Sequence, residues 1–580
     1  MKGLAVKSAK LLVLALLIGV ALAILGTTPP RPLAADAAGK DFSAGRAMIE
    51  VARIARAPHP SGSAEHAALR GYLMDRLGAL GLVLHTQEAL FPDDARATLN
   101  HRSGESRAQI PLVNIVAVLP GRDRTLPAVA LMAHYDGVWG SPAAADDGAG
   151  VASILETMRA LSGQRDRRRD VIVILTDGEE AGLNGAKLFF GQAPEASRIG
   201  ALVNLETRGG GGKANLFQTS AMNGDAARLW AATAPHPAGT SLATFIYSVL
   251  PNDTDLTAAL PHGYAAWNFA FIGRPGLYHS PLATPANLDQ GALQQMGEQT
   301  LALARAMVTA PELPGQSPDI VFFDVFGLFA LHYAAWWGWV MLALGFAGYG
   351  LVSLRRFEVR ALLGGAVRML GLVAGAAGAL YLLNLLSGAD GPVNYYDRLA
   401  AIPRLQIMAC CAGVATVLLL VGGKQDGAVR EAGMALPLLL AGAAFQAFAP
   451  TAAYVLALPM ALGGAAAAVR ALRPGGPAWA MTVAVAGIVT GYAFMLGYAL
   501  LQAVGPTMPM VAVLPLMIAV CALEPLLPQT KPSSGRMAAR HAMAVVLLAG
   551  AIGVSLWVRL DSPSATVAAY SDSNKNHGTT

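Results

Sequence analysis

The chain has 580 residues, of which 54% are apolar and only 14% charged, and its mean hydropathy is +0.46. Soluble globular chains carry about 25% charge, so this composition excludes a wholly soluble protein and places many residues against lipid. The formal net charge of +5 is small for the length, and no Lys/Arg run with interleaved aromatics accompanies it, so there is no case for a nucleic-acid partner.

In chain order, Lys2, Lys7 and Lys10 precede an apolar run from Leu11 to Leu25. The small residues Ala34 to Ala38, suited to signal cleavage, lie well past that run, so residues 1–39 read as an uncleaved anchor and linker, with a cleaved signal peptide as the alternative. Either way the basic flank stays in the cytoplasm and the following segment crosses the membrane.

Residues 40–315 read as one α/β domain. Helical periodicity runs over Phe42–Ala57, Glu65–Gly81, Gly150–Leu161 and Ala181–Phe190. Short β-like runs fall at Leu112–Leu119, Ala128–Ala133, Val171–Thr176 and Ala201–Leu205. Apolar strands alternating with helices predict a mixed, mostly parallel sheet covered on both faces. Cys410, Cys411 and Cys521 all lie in apolar C-terminal segments, so this domain has no disulfide, and any metal in it uses His and carboxylate ligands.

After Pro314, stretches of membrane-spanning length recur near 333–353, 369–387, 405–422, 433–449, 451–468, 478–503, 508–528 and 541–559. Residues 316–560 therefore read as an all-α transmembrane region of about eight helices, entered through an interfacial helix over Ile320–Tyr333. Basic residues (Arg355, Arg356, Arg360 and Arg368; Lys424 and Arg430; Arg470 and Arg473; Lys531, Arg536 and Arg540) recur in alternate loops. Assigning those loops to the cytoplasm puts residues 40–315 and a tail over 561–580 outside it, in agreement with the N-terminal flank. The expected protein is multi-pass and embedded in a lipid bilayer. No feature sets its oligomeric state.

Chemistry-bearing residues cluster at predicted strand ends. His134-Tyr135-Asp136 closes one buried run, and Asp136 is placed to orient His134 through its second ring nitrogen. Asp146-Asp147-Gly148 opens a helix and reads equally as a cap or as a carboxylate shared between metals. Glu179-Glu180 follows another strand, and such neighbours repel unless a cation or shared proton compensates; one Glu as ligand and one as base is the natural division. Glu206 ends a further strand, and His279 lies in a loop near the domain's end.

The order HxD, DDG, EE, E, H resembles metallopeptidase family 28, the co-catalytic dizinc aminopeptidases, over roughly residues 48–290. Pro58-His59-Pro60-Ser61-Gly62-Ser63 and Asn252-Asp253-Thr254-Asp255 are similar to further signatures of that family. The joining of anchor, protease and multi-span region resembles its membrane subgroup, the endoplasmic reticulum metallopeptidases and fungal vacuolar membrane proteases. The resemblance implies a zinc-exopeptidase type of fold, two Zn2+ per chain and a peptide substrate. It implies that His134 and Glu206 hold one zinc, Glu180 and His279 the other, with Asp146 bridging, Glu179 as general base and Asp136 orienting His134. Two departures stand out: many relatives have Asp where this chain has Glu206, and relatives often have Asp four residues beyond the second His, where this chain has Ala283.

Two other functions compete. A single-zinc aminoacyl transferase of the glutaminyl cyclase kind shares the fold, but the retention of His134 with Glu179-Glu180 favours hydrolysis. A transporter with a soluble appendage needs polar groups within its spans, and only Asn384, Gln446, Gln502 and Glu524 are candidates.

Overall fold

The computed structural model describes residues 2–355, 358–391, 395–421, 427–527 and 533–561; Arg356, Lys424, Lys531 and the expected tail beyond Asp561 fall outside them. The chain divides into two compact units. One takes in Thr28–His332 and the short segment Asn394–Ala400, described from Tyr395; the other takes in Met1–Thr27, Tyr333–Val393 and Ala401–Pro563.

The first unit is built on a seven-stranded mixed sheet. Its strands are β1 (Val83–Leu90), β2 (Pro111–Leu119), β3 (Ala128–His134), β4 (Val171–Thr176), β5 (Ile199–Thr207), β6 (Asn215–Thr219) and β7 (Ala265–Phe271). They lie in the order β1-β2-β4-β3-β5-β7-β6. The inner four are parallel, and β1, β2 and β6 join antiparallel. Side chains alternate between faces along a strand, so the uninterrupted apolar run of β4 serves two cores. Val171, Val173 and Leu175 pack beneath the helices Gly148–Ser162 and Gln290–Thr309, with Ile154, Leu155, Met296 and Leu303. Ile172 and Ile174 pack on the opposite face with Phe189 and Phe190 of the helix Asn184–Gln192.

The segment Ile320–Tyr333 is not an interfacial helix. It forms a hairpin of β8 (Ile320–Val325) and β9 (Phe329–Ala334). Phe326 and Gly327 turn the chain at φ 51 and 75. Asp324 holds the turn: one carboxylate oxygen accepts from the Gly327 amide at 2.8 Å and from the Lys213 ammonium at 3.0 Å. Periodicity could not distinguish so short an apolar run from a helix.

The second unit is helical. Among the described residues, nine helices are long and apolar enough to cross a membrane. They pack through small residues, as helices do where apolar burial supplies no preference over lipid. A Cβ added at Gly348 would lie 2.2 Å from the Gly464 carbonyl oxygen, so these glycines let the helices Trp337–Arg355 and Tyr454–Leu472 meet backbone to backbone. Arg430 and Arg470 are helix-end residues rather than free loop charges. Arg430 pairs with Glu524 at 2.6 Å and Arg470 with Glu431 at 2.6 Å, all four buried or nearly so. Of the polar residues noted in the spans, Gln446 donates to the Ala335 carbonyl at 2.9 Å and Asn384 to the Thr507 carbonyl at 3.3 Å.

Candidate metal centre

Ligands in open α/β sheets gather beyond the carboxyl ends of parallel strands, and the sequence-derived residues do so here. His134 is the last residue of β3 and lies in register with Thr176, the last of β4. Asp177-Gly178-Glu179-Glu180 continues directly from β4, Glu206 is the penultimate residue of β5, and His279 lies in the loop after β7. A left-handed turn at Gly178, φ 71, swings the two glutamates back over the sheet edge.

The geometry centres on Asp146. One of its carboxylate oxygens lies 3.1 Å from Nε2 of His134, and the other lies 3.1 Å from Nε2 of His279. Glu206 Oε1 is 3.8 Å from the same nitrogen of His134, and Glu180 Oε1 is 2.9 Å from that of His279. Two triads result, His134-Asp146-Glu206 and Asp146-Glu180-His279, each with candidate ligand atoms within 4.8 Å of one another. Glu179 joins His134 and Glu180 in a third group of the same tightness.

The Asp146-Asp147 pair divides the two tasks that the sequence left open. Asp147 caps the helix Gly148–Ser162, accepting from the Gly150 amide at 3.0 Å, while Asp146 turns into the cluster. Gly150 is required there, because a Cβ would lie 2.3 Å from the capping carboxylate. The peptide between the two aspartates is cis.

The cluster is electrostatically loaded. Burial pushes the Glu179 and Glu206 carboxyls well above the usual carboxylate range; His134 draws both back, and neighbouring carboxylates push them further. Burial also opposes charge on Asp146, yet His134 and His279 outweigh it and hold that carboxyl below its ordinary value. Burial disfavours the imidazolium forms, but Asp136 and Asp146 hold His134 above its ordinary value, and Glu180, Tyr396 and Asp146 do so for His279. Four buried or half-buried carboxylates thus share two imidazoles. This donor set fits divalent metal: hard oxygen and imidazole ligands, no thiol, and a surplus of negative charge that a cation would neutralise.

Asp136 is tied in differently from the sequence expectation. Nδ1 of His134 lies 2.9 Å from the backbone carbonyl of Asp136 and 3.4 Å from its carboxylate. That carboxylate also accepts from the Glu179 and Glu180 amides at 3.2 and 3.3 Å, so it holds the paired glutamates as well as the imidazole.

Several supporting residues were given no role in the sequence reading, although Ser61 and Asp255 lie in the two further motifs noted there. Ser61 donates to Asp177 at 2.6 Å, and Asp177 also accepts from the Val113 amide at 2.9 Å, bracing the base of the Glu179-Glu180 turn. Thr176 donates to Asp255, within the second motif noted above. Tyr247, which burial and the charge of Glu206 push above the usual phenol range, comes from the helix Ser241–Val249. Tyr396, from the segment Tyr395–Ala400, lies 2.9 Å from Nδ1 of His279. A cleft lined in part by Arg102, Arg107, Val138 and Trp139 opens against Asp136 and Glu180.

Residues 114–304 match the model of Peptidase family M28. Endoplasmic reticulum metallopeptidase 1 of Homo sapiens is 29% identical over 289 residues, which cover 48% of this chain and 32% of that protein. A vacuolar membrane protease of Eremothecium gossypii is 28% identical over 319 residues, covering 51% of this chain and 31% of the relative. The match thus spans about a third of these relatives' own length. Among solved structures, the aminopeptidase from Aneurinibacillus sp. strain AM-1 aligns over 48% of this chain and 97% of its own, at 16% identity and a TM-score of 0.38.

Proposed function

We propose that this chain, whose residues 114–304 match the model of Peptidase family M28, is a membrane-bound zinc exopeptidase of the aminopeptidase kind. The observation that best supports this reading is Asp146, whose two oxygens each face a different histidine at 3.1 Å, each flanked by its own glutamate. His134, Glu206 and Asp146 would hold one zinc, and Glu180, His279 and Asp146 the other. Bound zinc supplies Lewis acidity for attack of water on a peptide carbonyl.

The protein's own residues supply the remainder. Glu179 is the general base: it takes a proton from the attacking water and returns it to the leaving amine, so no net proton is consumed at the residue. Asp136 fixes the base by accepting from the Glu179 amide. The sheet beneath keeps the groups in register, which matters because small misplacements of reacting groups are costly in rate.

Peptides with free and blocked N-termini, offered to the purified full-length protein before and after chelation, test the proposal. Cleavage of the free-amine peptides alone, lost on chelation and regained with zinc, is the expected result. Cleavage that survives full metal removal rejects the metallopeptidase reading, and equal cleavage of blocked peptides rejects the aminopeptidase assignment. The peptidase unit is proposed to lie outside the cytoplasm. A reporter active only outside should therefore work when fused after Gln290 and be silent at Arg473; the opposite pattern overturns the topology.

A further inference from the structure

His134 and His279 face the same carboxylate but are steadied by different means. His134 uses a carbonyl two residues along its own strand end. His279 uses the hydroxyl of Tyr396, which is 117 residues away. Tyr396 belongs to the short helix Tyr395–Ala400, which in sequence lies between the apolar helices Val359–Asn384 and Ile402–Leu420. This segment nevertheless forms part of the same compact unit as the strand-end cluster.

Three contacts fasten the segment there. Tyr396 is 5% exposed, and its ring lies 5.2 Å from the His279 imidazole, which is also stacked on Tyr278 at 3.8 Å. The neighbouring Tyr395 hydroxyl accepts from the guanidinium of Arg208, two residues beyond Glu206, and that guanidinium sits 5.7 Å from the Tyr395 ring centre. A Cβ added at Gly276 would lie 2.9 Å from Ala400 Cα, so the bare backbone at Gly276 lets the segment close on the loop that carries His279.

His279 has φ 52, a region costly for any residue with a side chain and one that persists where surroundings over-determine it. The Tyr278 stack and the Tyr396 hydroxyl are two such constraints. The chemical consequence concerns the tautomer. A histidine that offers one nitrogen to a metal carries its proton on the other, and the partner of that N–H fixes both tautomer and ring rotation. With Nε2 offered to a metal beside Asp146 and Glu180, Nδ1–H would donate to the Tyr396 oxygen, 2.9 Å away.

We propose that Tyr396 is a positioning residue for His279, supplied by a segment between two apolar helices, so that the metal centre is complete only when that segment is present. This rests on the reading of His279 as a zinc ligand. The test uses full-length protein loaded with zinc or cobalt. Tyr396→Phe keeps the ring and removes the hydroxyl, and His279→Ala is the reference for loss of the ion at that position. Chelator competition should extract metal about 10–100-fold more readily from Tyr396→Phe than from the natural protein, the range typical for lost outer partners of metal-bound histidine. The cobalt absorption bands should shift, and melting of the metal-free protein should not. If His279→Ala retains as much metal as the natural protein, the ligand reading itself fails. If His279→Ala loses the ion while Tyr396→Phe matches the natural protein in retention and cobalt spectrum, the role of Tyr396 alone is overturned. A Tyr396→Phe protein that melts early without metal and has an unshifted cobalt spectrum overturns it equally, because the hydroxyl is then only structural.

Discussion

The two halves of the candidate centre are built on different principles. The His134 half rests on strand ends: His134 closes β3, Glu206 nearly closes β5, and both strands are hydrogen-bonded neighbours in a sheet buried on both faces. The His279 half rests on loops: Glu180 follows a glycine turn, and His279 sits in a left-handed conformation with its ring held by Tyr278 and Tyr396. The first half inherits its precision from the sheet. The second acquires it from side-chain contacts that come from far along the chain. Asp146 joins them, with one oxygen for each histidine.

The largest effect follows from removing what the halves share. Asp146→Ala deletes the carboxylate common to both triads, so binding of both proposed zinc ions should weaken and turnover should fall below detection. Elemental analysis should show a greater loss than in His134→Ala, and unchanged metal content in Asp146→Ala would contradict the bridge. Next comes Glu179→Gln, which removes the proposed base without removing a proposed ligand. It should lower kcat by about 10²–10⁴-fold with metal retained, the usual range for general-base catalysis; an unchanged kcat would show that another group moves the proton.

A smaller effect concerns the scaffold beneath the Glu179-Glu180 turn. Burial pushes His66, stacked 4.4 Å from the Tyr135 ring, down to about 4. A histidine depressed from 6.5 binds fewer protons folded than unfolded, so stability is present above about pH 6.5 and lost as pH falls towards 4. Relative to His66→Phe, the metal-free natural protein should therefore lose on the order of 3 kcal/mol across that window. Denaturant melts of the two proteins at pH 7 and pH 4 check this, and parallel changes in both would refute a neutral, buried His66.

The same contrast explains what the sequence could reveal. The inner strands β2 to β5 were legible because two covered faces demand continuous apolar runs, and the ends of those runs pointed to His134, Glu179, Glu180 and Glu206, which the fold brings together. β1 and β6 were missed because they are edge strands with polar sequences such as Thr86-Gln87-Glu88. β7 was missed because its Ala-Ala-Trp-Asn-Phe-Ala-Phe lacks the β-branched residues that mark a strand. The hairpin at Ile320–Ala334 was misread because its apolar stretch is as short as either element allows. The pairing of Arg430 with Glu524, and of Tyr396 with His279, joins residues 94 and 117 apart in sequence, and no local pattern encodes such partners. His279 itself was singled out only through the order of motifs, since nothing in its own loop marks a candidate ligand.

Stoichiometric reactivation tests the central claim most directly. Metal-free protein would receive zinc in known equivalents while peptide hydrolysis and bound metal are followed together. Two triads sharing Asp146 predict that bound zinc saturates at two per chain, with full activity reached only as the second site fills. Saturation and full activity at one equivalent would contradict the shared-carboxylate centre and favour a single-metal enzyme.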